Sequence, residues 1–395
     1  FFEDDFLPRK DENNESKLIR AGFRHAFSPA NVLIGNFAYQ DVDRNIKDSP
    51  VPVFVPLAKI EGDDDAYSYE LQHLFRSKFI NIVTGAGYFD IDAQETVTTD
   101  IFFFPPGVTV RDVTEDDLDV HHANLYLYSY IKLPVNLALT VGASGDFFDG
   151  DSDAEDDTNQ FNPKLGITWN PFANTTLRAA AFRTLKRTLI TDQTLEPTQV
   201  AGFNQFFDEN NATDAWRYGG AIDQKFSDRI FAGVEYTYRD LDTPFFSPSL
   251  EVEEANWEEK IFRAYLFWTP HEWLALSAEY LYEDFERDED NAEGAKDLET
   301  HYFPLGINFF HPSGLSFSLK GTYIDQDGKF ERLGNAGTFE DGDDNFWLVD
   351  AAVRYRFPKR YGFFTVGVTN LFDEDFEHFD TDRNNPRVQP DRSFF

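Results

Sequence analysis

The sequence predicts an all-β protein, a transmembrane antiparallel β-barrel, from three observations. Alternating runs recur along the chain, as where Phe364 and Val366 interleave with Thr365 and Gly367, and this is the period of a strand whose two faces meet different environments. Short turns alternate with long polar stretches, an asymmetry typical of outer-membrane barrels. The chain is polar on average, with a mean hydropathy of −0.48, yet 17% aromatic, as expected of strands with a lipid face and aromatic girdles.

The composition narrows the class of protein further. The 395 residues carry a formal net charge of −36, which argues against nucleic acid as a partner. No run of about 18 apolar residues is present, so no transmembrane helix is predicted. The lack of Cys excludes disulfides and thiolate metal sites. No linker composition divides the chain, and we expect residues 1–395 to form a single barrel domain. Because Met is also absent, we expect the chain to follow a cleaved signal or to belong to a longer polypeptide.

Short turns rich in Pro, Asn, Ser and Gly divide the chain into hairpins. The eight turns are Ser28–Asn31, Arg76–Lys78, Pro134–Asn136, Asn170–Thr175, Phe226–Arg229, Thr269–Glu272, Pro312–Gly314 and Pro358–Tyr361. The flanking alternating runs of roughly 9–15 residues suit tilted membrane strands, so about sixteen strands are predicted. The polar stretches between hairpins are predicted to be outer loops: about 41–65, 90–122, 148–160, 186–213, 240–256, 284–299 and 325–344.

The direction of the strands suggests that the barrel continues. With short turns in the periplasm, the first strand (Lys17–Phe27) runs inward and the last (Gly362–Leu371) runs outward. Since bacterial barrels keep both termini in the periplasm, we expect at least one further strand on each side. The complete barrel would then have about eighteen strands or more.

Alternation also assigns the faces of the strands. Val353 and Tyr355 are predicted to face lipid and Arg354 the lumen, because a charge facing lipid costs about 2–4 kcal/mol at the midplane. The strand near 257–268 is apolar on both faces and stays unoriented. The predicted lumen-lining residues are Arg20, Arg24, Lys164, Arg178, Arg217, Lys225, Glu235, Arg239, Glu279, Lys320, Asp350, Arg354 and Arg356. Their basic excess has two interpretations: a ring of positive charge that favours anions, or a ladder of salt bridges that stiffens the wall.

Few motifs point to other chemistry. Asp149, Asp151 and Asp153 alternate as in a calcium loop, but Ala154 replaces the Gly required at the sixth position. The stretch is either a surface Ca²⁺ site, or a divalent bridge to lipopolysaccharide, or a solvated acidic loop. His121-His122 is predicted at the start of a strand and lacks a third ligand for a metal. No catalytic motif is present, and we expect no enzyme and no other cofactor.

Two aromatic stretches are predicted to lie in outer loops. These are Phe102–Pro106 and Phe203–Phe207. They would grip a ligand, contact a neighbouring protein or, as the simplest alternative, pack as a lid over the mouth of the barrel.

Several stretches resemble the TonB-dependent receptor barrel. Val366–Phe376, with Asn-Leu-Phe-Asp followed by an aromatic, resembles that family's penultimate strand, and Pro390–Phe395 resembles the opening of its final strand. Thr175–Arg187 and Thr194–Gly202 resemble a strand leading to an outer loop and the Leu-x-Pro-Glu segment after it, although Thr198 stands in place of Glu. Family barrels have 22 strands, more than the sixteen or so predicted here. The resemblance does not extend to the family's N-terminal plug and TonB box.

The resemblance implies an outer-membrane transport barrel of a Gram-negative bacterium, in contact with lipid and lipopolysaccharide. Its expected role is uptake of an unidentified small-molecule nutrient, which the anion-ring interpretation would make anionic, with TonB or another periplasmic protein as partner. Two alternatives stay open: a passive porin or export channel, and a barrel that anchors a periplasmic domain or partner.

Overall fold

The computed structural model describes residues 11–47, 57–103, 108–150, 158–187, 193–205, 212–246, 252–288, 295–331, 339–376, 378 and 392–395. Nearly all of them lie in strands. The first eight strands are β1 (Asp11–Ser28), β2 (Asn31–Lys47), β3 (Leu57–Arg76), β4 (Ile80–Phe103), β5 (Val108–Leu133), β6 (Leu137–Gly150), β7 (Thr158–Phe172) and β8 (Thr175–Leu185). No helix among the described residues is long and apolar enough to cross a membrane.

The second half of the chain repeats this organisation. Two short strands, β9 (Gln199–Val200) and β10 (Phe203–Asn204), form a separate hairpin. The remaining strands are β11 (Asp214–Ser227), β12 (Ile230–Phe246), β13 (Val252–His271), β14 (Leu274–Arg287), β15 (Ala295–Phe310), β16 (Leu315–Glu331), β17 (Phe339–Arg356), β18 (Phe363–Thr369) and β19 (Ser393–Phe394). A short 3₁₀ turn, Pro358–Arg360, joins β17 to β18.

One antiparallel sheet contains 17 of these strands. From β1 to β8 each strand pairs with the next, β8 pairs with β11, and pairing continues in chain order to β19. Each of the eight predicted turns joins two neighbouring strands of this sheet, so the hairpin pattern is confirmed. The residues Ser393–Phe394 pair with Thr369 and Val368, which places the start of a further strand where the resemblance expects it.

Where the structure describes the predicted outer loops, most of their residues lie in strands, so the prediction of long loops was wrong there. The ladder of β4 and β5 continues without a shift from Ile80↔Ile131 to Phe103↔Val108, although residues 90–122 are predicted as loop. His121-His122 accordingly lies inside β5 and not at its start. Hydrophobic alternation marks only strands with one buried face. Beyond the apolar belt the lipid-facing alternation ends, and apolar residues such as Val120, Leu298 and Phe330 are instead buried on the inner face among polar ones. Thr and Val still favour the extended backbone there.

The two faces of the sheet differ as predicted. On one face, large apolar side chains such as Leu127, Tyr218 and Val353 are exposed. Aromatic rings form lateral rows there, as along Tyr280, Phe303 and neighbouring strands. We call this the outer face, and it has the character of a lipid-facing surface.

The opposite, inner face carries most of the buried polar residues. In β13, which the sequence leaves unoriented, Arg263 and Tyr265 lie on this inner face while Leu266 and Trp268 are exposed on the outer one. Because the aromatic residue Tyr265 lies on the inner face beside Arg263, both faces of this strand carry large non-polar rings or chains, and the alternation is masked in the sequence.

Candidate functional site on the inner face

A segment between β8 and β11 folds back against the inner face. It comprises Gln193–Gln205, includes the hairpin of β9 and β10, and is called the strap below. Its side chains contact β1, β3, β5, β7, β8 and β11. The strap therefore forms a second layer over this part of the sheet.

The carboxylate of Glu196 anchors the strap. Its Oε2 accepts from Arg187 Nη2 at 2.8 Å and from Asn124 Nδ2 at 2.9 Å, and its Oε1 accepts from Tyr128 OH at 2.6 Å. The side chains of Arg187 and Glu196 are each 2% exposed. Burial alone would lower the pKa of Arg187, but the carboxylates of Glu196 and Asp146 raise it above its ordinary value. Removal of one partner from a fully buried ion pair of this kind strongly destabilises the folded protein.

Asp146 extends this anchor into a buried polar cluster. Its carboxylate contacts Arg187 Nη1 at 3.4 Å, His122 Nε2 at 3.0 Å and Asn162 Nδ2 at 2.6 Å. Two buried atoms of the cluster, His122 Nδ1 and Asn124 Oδ1, have no hydrogen-bond partner among the described residues. The side chains that meet here come from β5, β6, β7, the strap and Arg187 just after β8, so the cluster ties three strands to the segment above them.

The start of the strap is held by polar residues of β1 and β3. Glu70 Oε2 accepts from Thr194 Oγ1 and from the backbone N–H of Leu195, each at 2.6 Å. Arg20 Nη1 donates to Gln193 Oε1 at 2.5 Å. The strap thus reaches from the end of β8 across to the first strands of the sheet.

The second half of the strap is held by apolar side chains that pack against glycines of the sheet. Phe203 is 1% exposed and lies where a Cβ at Gly219 would stand, at 2.5 Å from its ring. A Cβ at Gly166 would similarly meet Ala201 Cβ at 2.8 Å. These glycines are needed because strap and wall approach too closely for a side chain. The sequence predicts that Phe203 lies outside, and this was wrong; Phe206 and Phe207 lie outside the described residues.

A second segment folds inward after β18. Asn370 adopts a positive φ of 46°, its Oδ1 accepts from the N–H of Glu374 and its Nδ2 donates to Glu374 O, both at 2.9 Å. The turn brings Phe376 onto Phe346 with ring centroids 4.3 Å apart. The predicted Asn-Leu-Phe-Asp and aromatic pattern therefore encodes a tight turn and its hydrophobic anchor.

Several predicted lumen-lining residues on the inner face have ion-pair, strap or backbone partners. Arg178 pairs with Asp223 at 3.0 Å and with Glu235 at 2.9 Å, and its guanidinium also lies 5.2 Å from the Phe203 ring. Further contacts are Arg239 with Glu259 at 2.7 Å, Arg263 with Glu279 at 2.5 Å, Lys225 with Asp228 at 2.5 Å, Arg217 with Asn204 O at 3.0 Å, and Lys164 with Arg183 O at 2.6 Å. This arrangement agrees with a ladder of salt bridges more closely than with a positive ring.

The remaining predicted residues lie on more open parts of the sheet. Lys320 and Asp350 are opposite each other in β16 and β17, and Asp350 Oδ1 accepts from Asn370 N at 3.1 Å. The Arg354 guanidinium lies 3.8 Å from the Phe363 ring centroid, and Arg356 is exposed nearby. Arg24 is exposed on β1.

The candidate calcium loop is only partly described. Asp149 lies in β6 opposite His121, and Asp151 and Asp153 lie outside the described residues. Within the parts of the chain that the structure describes, no group of three or more His, Asp or Glu side chains is arranged to hold a metal ion.

The residues that matter most in this cluster were missed by the sequence analysis. Glu196 belongs to the Leu-x-Pro-Glu-like segment, and it anchors the strap although Thr198 replaces the usual Glu. Arg187 is the last residue of the family-like stretch Thr175–Arg187. Each residue lies in a stretch that resembles the TonB-dependent receptor family, and this resemblance is the signal that could have found them. The alternation pattern does not extend to either residue.

Comparison with solved structures shows the same fold at low sequence identity. The ferripyoverdine receptor of the Pseudomonas aeruginosa outer membrane, solved with ferripyoverdine, has a TM-score of 0.65 at 13% identity over 91% of this chain and 52% of its own. The ferric citrate transporter FecA has a TM-score of 0.67 at 15% identity over 98% of this chain and 61% of its own. The copper transporter OprC has a TM-score of 0.70 at 14% identity over 98% of this chain and 65% of its own.

The chain thus spans less than two thirds of the length of these structures. No curated protein matches its sequence significantly. The model of the TonB-dependent receptor-like β-barrel matches residues 2–371. Members of this family are receptors of the outer membrane of Gram-negative bacteria, not enzymes. The chain belongs to the TonB-dependent receptor-like β-barrel family.

Proposed function

We propose that the protein is an outer-membrane transporter that takes up a chelated metal ion, with TonB as its energising partner. The observation that carries this proposal is the family match over residues 2–371. Solved structures with the same fold include a ferripyoverdine receptor, a ferric citrate transporter and a copper transporter. These names suggest the substrate class, a metal ion wrapped in an organic ligand or bound directly.

The inner face supports passage of a polar solute. Its described residues are rich in hydrogen-bonding and paired charged side chains, while the outer face presents aromatic and aliphatic groups to lipid. Paired charges such as Arg178 with Glu235 give many hydrogen-bond partners with little net field. A large polar complex can be accommodated by such a surface whatever the sign of its charge. Contact of the outer face with lipid and lipopolysaccharide belongs to the same proposal.

Uptake measurements in a Gram-negative host lacking its own ferric-complex receptors test the function. The protein is expressed with and without TonB under iron limitation, and ferric citrate, ferripyoverdine and copper salts are supplied in turn. Uptake of one complex that requires TonB is expected. Uptake that is unselective and independent of TonB would instead establish a passive channel, and the absence of uptake of every probe would favour a membrane anchor. Both results would overturn the proposal.

A further inference from the structure

The end of the sheet that carries the short turns differs in charge from the rest of the chain. We call this end the turn rim, and it comprises residues 24–31, 76–80, 132–137, 170–175, 225–230, 269–274, 310–315 and 354–363. These ranges contain ten Lys or Arg and two acidic residues, although the whole chain has 35 Lys or Arg against 71 Asp or Glu. The turn rim is therefore basic in a strongly acidic protein.

The opposite end of the same hairpins carries acidic residues in register. Asp41 in β2 lies opposite Asp65 in β3, and Asp65 lies opposite Asp92 in β4. Asp92 in turn lies opposite Asp119 in β5. Because the two ends of the strands have opposite charge, an anionic partner is attracted to the turn rim and repelled from the other end.

Five cations of the turn rim lie on the inner face of the sheet. They are exposed and comprise Arg24 of β1, Arg76 of β3, Lys132 of β5, and Arg354 and Arg356 of β17. Each is an even number of residues from an inner-face side chain of its own strand, as Lys132 is from Tyr128. An inner-face position directs these cations away from the lipid headgroups and toward the mouth formed by the short turns.

These five cations lack the carboxylate partners that cations have higher on the inner face. Arg178, Arg239 and Arg263 each form an ion pair with a residue of a neighbouring strand. Within the described parts of the chain, no carboxylate lies at ion-pair distance from any of the five. Exposed cations without a counter-charge keep their field at the surface, where it can attract an anionic partner.

The spacing of the strands determines the size of that partner. Neighbouring strands lie about 4.8 Å apart, so the four steps from β1 to β5 separate Arg24 from Lys132 by roughly 19 Å. A small carboxylate or phosphate reaches one or two of these side chains at a time. The acidic face of a folded protein can contact Arg24, Arg76 and Lys132 together.

We propose that the inner edge of the turn rim is a docking surface for an acidic protein domain in the periplasm. Arg24, Arg76, Lys132, Arg354 and Arg356 supply its positive charge. The inference does not depend on transport, because it requires only that the short turns face the periplasm, as they do in outer-membrane barrels. Attraction between exposed charges is screened by salt, so the association weakens as the salt concentration rises.

A synthetic acidic chain tests the surface. The probe is fluorescent poly-L-glutamate of about 20 residues, which at roughly 3.3 Å per residue exceeds the distance from β1 to β5. Its binding to the purified protein in detergent is measured by fluorescence anisotropy at low and at high salt. We expect saturable binding that weakens with salt and that free glutamate, at the same concentration of carboxylate, does not displace. Absence of binding, or displacement by free glutamate, would overturn the docking surface, and displacement would indicate a site for small anions.

Neutralisation of the five cations locates the binding. The test variant combines Arg24→Gln, Arg76→Gln, Lys132→Gln, Arg354→Gln and Arg356→Gln. The matched control neutralises five exposed cations outside the turn rim: Lys17→Gln, Lys47→Gln, Arg111→Gln, Lys329→Gln and Arg392→Gln. We expect the test variant to bind poly-L-glutamate about tenfold or more weakly than the control variant does. Equal affinities of the two variants would contradict the proposal.

A thiol measurement decides the matter if the fivefold variant does not assemble. The chain has no Cys, and Val135, in the turn after β5, is 76% exposed. Gln94 is exposed on β4 between Asp63 and Asp117, at the acidic end. Poly-L-glutamate should slow maleimide labelling of Val135→Cys and leave that of Gln94→Cys unchanged. Unaltered labelling of Val135→Cys would overturn the surface. Neither assay involves uptake, so a failure of transport would leave this result intact.

Discussion

Neutralising Glu196 should release the strap from the inner face. The Glu196→Gln substitution keeps the shape of the side chain but removes the charge that faces Arg187 at 2.8 Å. The longer contact between Arg187 and Asp146, at 3.4 Å, would remain. Because both members of the Arg187–Glu196 pair are buried, the loss leaves a poorly compensated charge away from water.

The size of the effect follows from this burial. Removal of one partner of a buried ion pair costs about 3–5 kcal/mol, and the retained amide places the expected loss at the lower end, about 3 kcal/mol. Since about 1.4 kcal/mol corresponds to a factor of ten, the open population of the strap should rise about a hundredfold.

Thiol labelling measures this population. In protein carrying Val200→Cys, opening of the strap exposes an otherwise buried thiol, so the labelling rate follows the opening equilibrium when closing is fast. Glu196→Gln should increase this rate about a hundredfold. Glu259→Gln is the matched control, because it neutralises the partner of Arg239 at 2.7 Å on strands that the strap does not cover. Equal labelling rates for Glu196→Gln and the parent would refute the role of this pair as the anchor.

Three further substitutions test packing, facing and the second inward turn. Gly219→Val should raise the labelling rate of Val200→Cys about tenfold or more, since overpacking costs about 1–3 kcal/mol. Gly220→Val should leave the rate unchanged, because a Cβ at Gly220 meets nothing within 4 Å. Equal effects of the two substitutions would contradict close packing of the strap. Val353→Arg should lower membrane assembly by about 2–4 kcal/mol of destabilisation, far more than Arg354→Val, as judged by the heat-modifiable fraction on gels; equal losses would reverse the assigned faces. Asn370→Ala should cost about 2 kcal/mol for its two backbone hydrogen bonds and lower the heat-modification midpoint; a midpoint equal to that of the parent would exclude its role in the turn.

The strands and their facing could be predicted from sequence because they depend on short-range patterns. Val353 and Arg354 are neighbours in the chain, and period two alone sends them to opposite faces. The turns likewise depend on local chemistry, as Pro134–Asn136 and Pro312–Gly314 show. Strand length could not be predicted in the same way. Outside the lipid belt the exposed apolar face ends, while apolar residues such as Leu298 and Phe330 are buried on the inner face, so the ladder continues without the lipid-facing pattern that reveals it.

The strap could not be predicted because its anchors are distant in sequence. Glu196 meets Asn124 across 72 positions, and Thr194 meets Glu70 across 124. Neither contact leaves a periodic signal. Phe203 looks like an exposed loop aromatic until the absence of a side chain at Gly219, in another strand, provides its pocket. A family-like motif indicated that the stretch mattered but not where it packed.

The pairing of inner charges changes how selectivity should be inferred for this barrel. A count of predicted lumen residues favours the cations, yet it omits carboxylates such as Glu259 and Asp228 that the structure places beside Arg239 and Lys225. The partner of a strand cation is fixed by register, as for Arg239 directly opposite Glu259, and register is invisible in a count of charges. A paired cation adds hydrogen bonds to the wall but little long-range field. Selection by charge would therefore depend on the few exposed cations of β16 and β17, whereas the ion-pair ladder would select by hydrogen-bonding shape.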